Sequence, residues 1–277
     1  MVMKPPEERF QQKFVQLGDL RFNYLDWGAK SNPQIVLLHG LQSHARSWDQ
    51  FANALKGEYR LLALDQRGHG DTDWPEPPSY DPTDFIGDIF TLTKQLGIEH
   101  FVLVGLSMGA HNALAFAIRY PELVEKLVSV DIPASLKMLD DPKVRSSLVN
   151  VQREFASLDE MVEDAHDTYP FASDEMIRHR MKHNSRQLPS GRLALKYSPD
   201  APRIWNPDDL SESIKAIQCP TLIVRGDESE VLTAVQAQTM TDTIPNGQLI
   251  TIAGAGHSVP MDKPAEFEVA VREFLVE

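Results

Sequence analysis

The sequence predicts an α/β protein: a mostly parallel, eight-stranded sheet flanked by helices and interrupted once by an inserted helical segment. Three observations predict it. Short apolar, β-rich runs alternate with helical patterns, as in strand–helix–strand units. Those runs, such as QIVLLHG at 34–40 and RLLALDQ at 60–66, are apolar without a break, as expected of strands covered on both faces. Residues 134–205 break the rhythm, being long, polar and helix-like with no buried-strand run. A chain of 277 residues is long enough to bury one large core of this kind.

In chain order, 12–17 and 20–27 read as an antiparallel pair turned at Gly18-Asp19. The strand at 34–40 follows, then a helix at about 47–56 and the strand at 60–66. Between 83 and 96, Phe85, Ile89, Leu92 and Leu96 recur at spacings of 4, 3 and 4, which is one helix face. HFVLVGLS at 100–107 is the next buried strand, followed at once by an alanine-rich helix at 108–120 that ends before Pro121. Further strands are expected at 124–133, 220–227 and 248–257, and a closing helix at 264–276. The segment 134–205 is expected to be a cap over the active edge, leaving 1–133 and 206–277 as the core domain and a substrate cleft between the two.

The formal net charge is −13, and an acidic surface repels nucleic acid and anionic membranes, so neither is expected as a partner. Residues 1–10 carry one Lys, two Pro and no apolar stretch of a signal peptide. No apolar run reaches the roughly 18 residues of a membrane span. Cys219 has no second cysteine for a disulfide and no zinc-like spacing around it, so it is expected to pack at the start of a buried strand. These features point to the cytoplasm. Gly68 and Gly70 lie in a glycine-containing loop, but no G-x-G-x-x-G opens a first strand–helix unit. No metal, nucleotide or flavin cofactor is implied.

The segment Gly105-Leu106-Ser107-Met108-Gly109 matches G-x-S-x-G between a buried strand and a helix. So tight a turn strains the serine backbone, and the flanking glycines remove the Cβ atoms that would clash. It lifts the Ser107 hydroxyl above the sheet edge and aims the N-terminus of the next helix, which favours negative charge, at the same point. A serine hydroxyl needs a base that titrates near neutrality, and imidazole is the natural one. His257, after the last strand in Gly254-Ala255-Gly256-His257, reaches the C-terminal edge that parallel strands share. His69, in the loop Arg67-Gly68-His69-Gly70, is the main rival. His39-Gly40 ends an earlier strand, so the Leu41 amide is expected to face the nucleophile and, with the Met108 amide, to hold an oxyanion.

With these motifs in that order, the chain resembles the α/β-hydrolase family over nearly its whole length outside 134–205. Within it, the chain looks like the group of carboxylesterases, enol-lactone hydrolases and C–C bond hydrolases. The resemblance implies a helical cap at 134–205, and the serine at position 107 argues against haloalkane dehalogenases and epoxide hydrolases, which use aspartate there. It also implies a carboxylate partner for His257. The family usually takes that acid from a Gly-x-x-Asp pattern after the strand at 220–226, but here Gly226-Asp227-Glu228-Ser229 puts serine at the usual position. Asp131, at the end of the preceding strand, is the favoured acid. Asp227 and Glu228 are alternatives, and Asp65 is a third choice that more often ties down its own loop.

The expected chemistry is acyl transfer from a small-molecule ester, lactone or related acyl compound to Ser107, with His257 as base and water completing turnover. C–C bond hydrolysis, a cofactor-free oxygenase or haloperoxidase on the same fold, and a non-catalytic ligand receptor stay open as alternatives. Residues 178–203 hold seven basic side chains (178, 180, 182, 186, 192, 196 and 203) and one acid, Asp200. If that stretch lines the cleft, the substrate carries a carboxylate; otherwise it is a solvated helix face. His39, Gly40 and Arg46 are further candidate substrate-binding residues. Arg46 would clamp a carboxylate, or its segment would instead begin a helix capped by Ser47.

Overall fold

The computed structural model describes residues 10–140 and 153–277. The reading of the first nine residues, and the part of the inserted segment at 141–152, lie outside them.

Strands β1 (Phe10–Leu17) and β2 (Leu20–Trp27) form an antiparallel hairpin, with Leu17 paired to Leu20 across the Gly18-Asp19 turn. β3 (Gln34–Leu38) leads through a 3₁₀ turn at Ala45–Trp48 into α1 (Asp49–Leu55), then β4 (Arg60–Leu64). α2 (Pro82–Leu96) starts at a capping box in which Asp81 and Asp84 satisfy each other's backbone amides. β5 (Phe101–Leu106), α3 (Met108–Arg119) and β6 (Val124–Val130) follow. After α4 (Leu158–Thr168), α5 (Asp174–His183), β7 (Ser185–Gln187), β8 (Leu193–Leu195) and α6 (Ala201–Ile204), the sheet resumes. It closes with β9 (Thr221–Gly226), α7 (Ala234–Thr243), β10 (Gly247–Ile252), α8 (Val259–Asp262) and α9 (Pro264–Val276).

The eight sheet strands run in the order β1-β2-β4-β3-β5-β6-β9-β10. β2 is antiparallel to β1 and β4; every other pairing is parallel. The chain lays β4 on one side of β3 and β5 on the other. This reversal of winding opens a crevice beyond the carboxyl ends of β3 and β5, where open α/β sheets bind ligands.

Side chains in each central strand point alternately to two cores. Val36, Leu38, Leu103, Leu127 and Ile223 pack beneath α2, α3 and α7, against Phe85, Ile89, Ala113 and Phe116. Ile35, Leu37, Val102, Val104, Val128 and Val224 pack on the opposite face, against Phe51, Leu55, Phe267 and Phe274 of α1 and α9. Burial on both faces explains why these strands read as unbroken apolar runs. Each such side chain contributes about 1.5–3 kcal/mol on removal from water. The ends of these strands are therefore held far more firmly than the loops they carry. Cys219 is buried just before β9, and burial raises its thiol pKa.

The stretch between β6 and β9 is not purely helical. α4 and α5 carry a small core of their own (Met161, Val162, Ala165, Ile177, Met181) with Phe155 and Met261. Beside them β7 and β8 form an antiparallel hairpin that sequence periodicity missed, because three residues are too few to show alternation. The stretch is anchored to the loop after β4: the Gly70 amide donates to the Lys196 carbonyl at 2.7 Å, and the Ser198 amide to the Gly68 carbonyl at 2.7 Å. No helix among the described residues is long and apolar enough to cross a membrane.

Candidate active site

The bend at Ser107 follows from two glycines. A Cβ on Gly105 would lie 2.3 Å from the Gly109 carbonyl oxygen, and one on Gly109 would lie 2.3 Å from that of Leu38. No side chain fits at either place, so α3 starts immediately after β5, hard against β3. Ser107 sits at φ 55° and ψ −121°, in a region that L residues rarely adopt. Its amide is tied to the Val130 carbonyl at 2.9 Å. Gln42 and Asp131 also have positive φ, at 58° and 50°. All three non-glycine residues of this kind among those described converge on one edge, and such strain concentrates at functional sites.

His257 arrives on the loop after β10. Its Nε2 lies 2.9 Å from Ser107 Oγ and its Nδ1 lies 2.7 Å from Asp131 Oδ2. Asp131 is fully buried, whereas the His257 side chain is 34% exposed. The Asp131 carboxylate also accepts the Ser229 hydroxyl on Oδ2 and the Gly226 amide on Oδ1, the latter at 3.2 Å. The arrangement orients one imidazole, leaving Nε2 to exchange a proton with the serine.

The other candidate acids lie elsewhere. Asp227 Oδ1 accepts the Gly254 amide at 2.6 Å and so braces the loop that carries His257. Glu228 is exposed at the cavity rim. Asp65 accepts from Asn23 of β2, Ala45 of the turn before α1 and Asp71 of its own loop, tying the three together, and burial pushes its pKa up to about 6. Ser229, which the sequence reading passed over as a missing acid, instead donates to the acid. Asp262 was also missed. It lies at the foot of the same cavity, accepts the Gly256 amide at 2.9 Å, and is raised to about 6 by burial.

Several expected binding residues are placed differently. His39 is completely buried: its Nε2 accepts the Gln66 amide at 3.0 Å, and its Nδ1 donates to the Gly40 carbonyl at 2.8 Å. It shapes the loop after β3 and does not reach the cavity. Burial holds its pKa well below the usual range. His69, the rival base, is also buried; its Nδ1 lies 2.8 Å from the Arg67 carbonyl oxygen, and its pKa is lowered to about 4. Arg46 is committed to Asp49 at 2.6 Å and stacks on Phe10, away from Ser107. Ser47 does not cap α1 but donates to the His44 carbonyl. Gly40 and Leu41 do line the cavity. A Cβ on Gly40 would be 3.2 Å from that of Ser107, so the backbone before Leu41 passes directly over the serine. Met108 follows Ser107 as the first residue of α3.

The cavity over Ser107 and His257 encloses about 670 Å³, between Gly40–Ser43 on the sheet side and Asp167–Phe171 plus Arg180 above. A side chamber of about 240 Å³, lined by Phe155, Met161, Met181 and Tyr197, adjoins it at Gln42 and Tyr169. This space suits a small organic molecule. Of the seven basic residues at 178–203, only Arg180 lines the main cavity. Arg178, Arg192, Lys196 and Arg203 pair with Asp159, Glu154, Asp71 and Asp200. Lys182 is exposed, and Arg186 stacks on Trp74. The expected basic lining is thus a single guanidinium.

A doubly wound sheet with a strained serine, a histidine and a buried carboxylate joined at its carboxyl edge defines a hydrolase-type enzyme. The family model for the alpha/beta hydrolase family matches residues 35–270, and the chain belongs to that family and is a hydrolase. It is 27% identical over 273 residues to a 2-(acetamidomethylene)succinate hydrolase of Mesorhizobium japonicum, covering 97% of this chain and 96% of that protein. It is 30% identical over 268 residues to an esterase of Mycobacterium tuberculosis, covering 94% of this chain and 88% of that protein. The crystal structure of an E-2-(acetamidomethylene)succinate hydrolase superposes with a TM-score of 0.86 at 26% identity, covering 97% of this chain and all of that one.

Proposed function

We propose that the protein is a serine hydrolase that opens a small-molecule carboxylic ester, lactone or related acyl bond through an acyl-enzyme on Ser107. One observation carries the reading: a single imidazole spans the Ser107 hydroxyl, at 2.9 Å, and the buried Asp131 carboxylate, at 2.7 Å. His257 Nε2 takes the hydroxyl proton as Oγ attacks the carbonyl carbon. Asp131 holds the Nδ1–H tautomer and stabilises the imidazolium. The Leu41 and Met108 amides receive the oxyanion, each contributing on the order of 3 kcal/mol. The intermediate collapses, the C–O bond to the leaving group breaks, and the imidazolium protonates the departing oxygen. Water then attacks the acyl-enzyme with His257 again as base, releasing the acid and free Ser107. In this reading residues 134–205 act as a cap on a core of 1–133 and 206–277, and Phe171 of the cap packs on Gly256 beside the base.

The test is a pre-steady-state experiment on a series of 4-nitrophenyl esters of increasing acyl length. The expected result is a burst of about one equivalent of nitrophenol in the wild type, when deacylation is slower than acylation, and turnover that disappears in Ser107→Ala. Wild-type turnover retained by Ser107→Ala would overturn the reading. Oxygen uptake without ester turnover would favour the oxygenase alternative.

A further inference from the structure

We propose that Arg180 and Ser43 form an anion subsite within the cavity, and that the natural substrate therefore carries a carboxylate besides the bond that is cleaved. This rests on the serine hydrolase reading and narrows its substrate class.

Arg180 is 7% exposed although it lines an open cavity. Its Nη1 donates to Ser43 Oγ at 2.8 Å, and its guanidinium lies 4.8 Å over the Tyr169 ring. Its buried Nε has no hydrogen-bond partner, and among the described residues no carboxylate pairs with it. A guanidinium does not lose its proton, so it keeps a buried positive charge. Desolvating such a charge without a counter-ion is unfavourable, and an incoming carboxylate removes that penalty. Ser43 is itself buried, and its oxygen is occupied as an acceptor by Arg180. Its hydroxyl hydrogen is thereby directed away from the guanidinium.

The placement relative to the reacting centre is specific. The Ser43 amide folds back onto the Gly40 carbonyl at 3.2 Å, so Ser43 closes the same turn that carries Leu41. The anion subsite thus borders the loop assigned to the oxyanion. The cavity is not generally cationic: Asp167, Glu228 and Glu230 are exposed at its rim, and Asp262 is buried beside the His257 loop. The rim charges are solvated and screened. Asp262 holds the Gly256 amide and is kept largely protonated below pH 6 by its burial. Arg180 is therefore the cavity's one buried positive charge among the described residues, and it selects one carboxylate at one place rather than polyanions in general. One similar enzyme, the 2-(acetamidomethylene)succinate hydrolase, has a name that accords with this.

The experiment compares two matched pairs of esters. In 4-nitrophenyl hydrogen succinate against 4-nitrophenyl methyl succinate, the carboxylate is on the acyl side. In 4-carboxyphenyl butyrate against 4-carbamoylphenyl butyrate, it is on the leaving group. Wild-type kcat/KM is expected to favour the anionic member of one pair by about 10- to 100-fold, the range one charge-assisted hydrogen bond commands. In Arg180→Met that ratio should fall to near one, mainly through KM, and in Arg180→Lys it should be partly kept. A binding measurement that needs no catalysis runs beside it. Succinate should raise the Tm of the wild type and of Ser107→Ala, while succinamide should not. Equal kcat/KM within both pairs, or a preference that survives in folded Arg180→Met, overturns the subsite. Where neither pair is turned over, the serine hydrolase reading is decided by its own burst experiment, and the subsite by the succinate shift: a shift lost in Arg180→Met supports Arg180, and no shift, or one kept in Arg180→Met, refutes it.

Discussion

At the scale of the residue, two positions compete to supply the carboxylate beside His257, and in this chain they touch. Asp131 comes from the end of β6, and Ser229 stands where a Gly-x-x-Asp pattern would put the acid. Ser229 Oγ and His257 Nδ1 meet the same Asp131 oxygen, so in the proposed reading an acid at 131 with a donor at 229 takes the place of an acid at 229. Asp131→Asn is accordingly expected to lower kcat by about 10⁴, the loss seen when the same change in serine proteases leaves the histidine in the wrong tautomer. Asp227→Asn and Glu228→Gln should each cost less than about tenfold, since neither carboxylate reaches the imidazole. A sharper check is reciprocal: Ser229→Asp added to Asp131→Ala should recover at least about tenfold of the lost turnover in a steady-state ester assay. No recovery would mean that the two positions are not interchangeable around His257.

At the scale of the element, the proposed chemistry sits where strands stop. The sequence reading carried its strands on through Gly40, Gln66, Ser107, Pro133, Asp227 and His257, whereas the ladders end at Leu38, Leu64, Leu106, Val130, Gly226 and Ile252. The interiors were legible because burial on both faces demands unbroken apolar residues. The strained bend at Ser107 was legible from its flanking glycines, but the other ends were not: the positive φ of Asp131 is set by packing against neighbouring strands, which no local pattern encodes. The proximity of Ser107, Asp131 and His257 was legible from their shared sheet edge. The roles of Ser229 and Asp262 were not, since each depends on a contact between distant loops. Arg180 was visible only as one of seven basic residues; burial alone distinguishes it. The most exacting element is the bend itself. Gly109→Ala would push a methyl group to 2.3 Å from the Leu38 carbonyl oxygen, a backbone atom held in the sheet. A destabilisation of about 2–4 kcal/mol is expected, seen by calorimetry as a Tm lowered by roughly 5–10 °C. An unchanged Tm would mean that α3 and β3 can separate without cost.

At the scale of the whole molecule, buried titratable groups set how stability responds to pH. His39, His44, His69 and His111 are buried, and desolvation lowers all four below their unfolded value near 6.5, with His69 at about 4. The unfolded chain binds protons more readily there, so the stability these groups contribute is present above pH 6.5 and is lost as pH falls through the folded values. Asp65, Asp88 and Asp262 oppose them: raised by burial from 3.8 to about 6, they lose stabilisation as pH rises between those values. Four imidazoles, three of them displaced far, outweigh three carboxyls, so the urea midpoint is expected to fall from pH 7 to pH 5. A midpoint that rises over that interval would contradict the assigned burial.

The central claim, that the oxygen of residue 107 becomes covalently acylated with help from residue 257, is tested most directly by mass spectrometry after exposure to a fluorophosphonate. One adduct on the peptide containing Ser107 is predicted, slowed severely in His257→Ala and absent in Ser107→Ala. An unlabelled wild type, or an adduct that persists on another residue when Ser107 is replaced, would contradict the account.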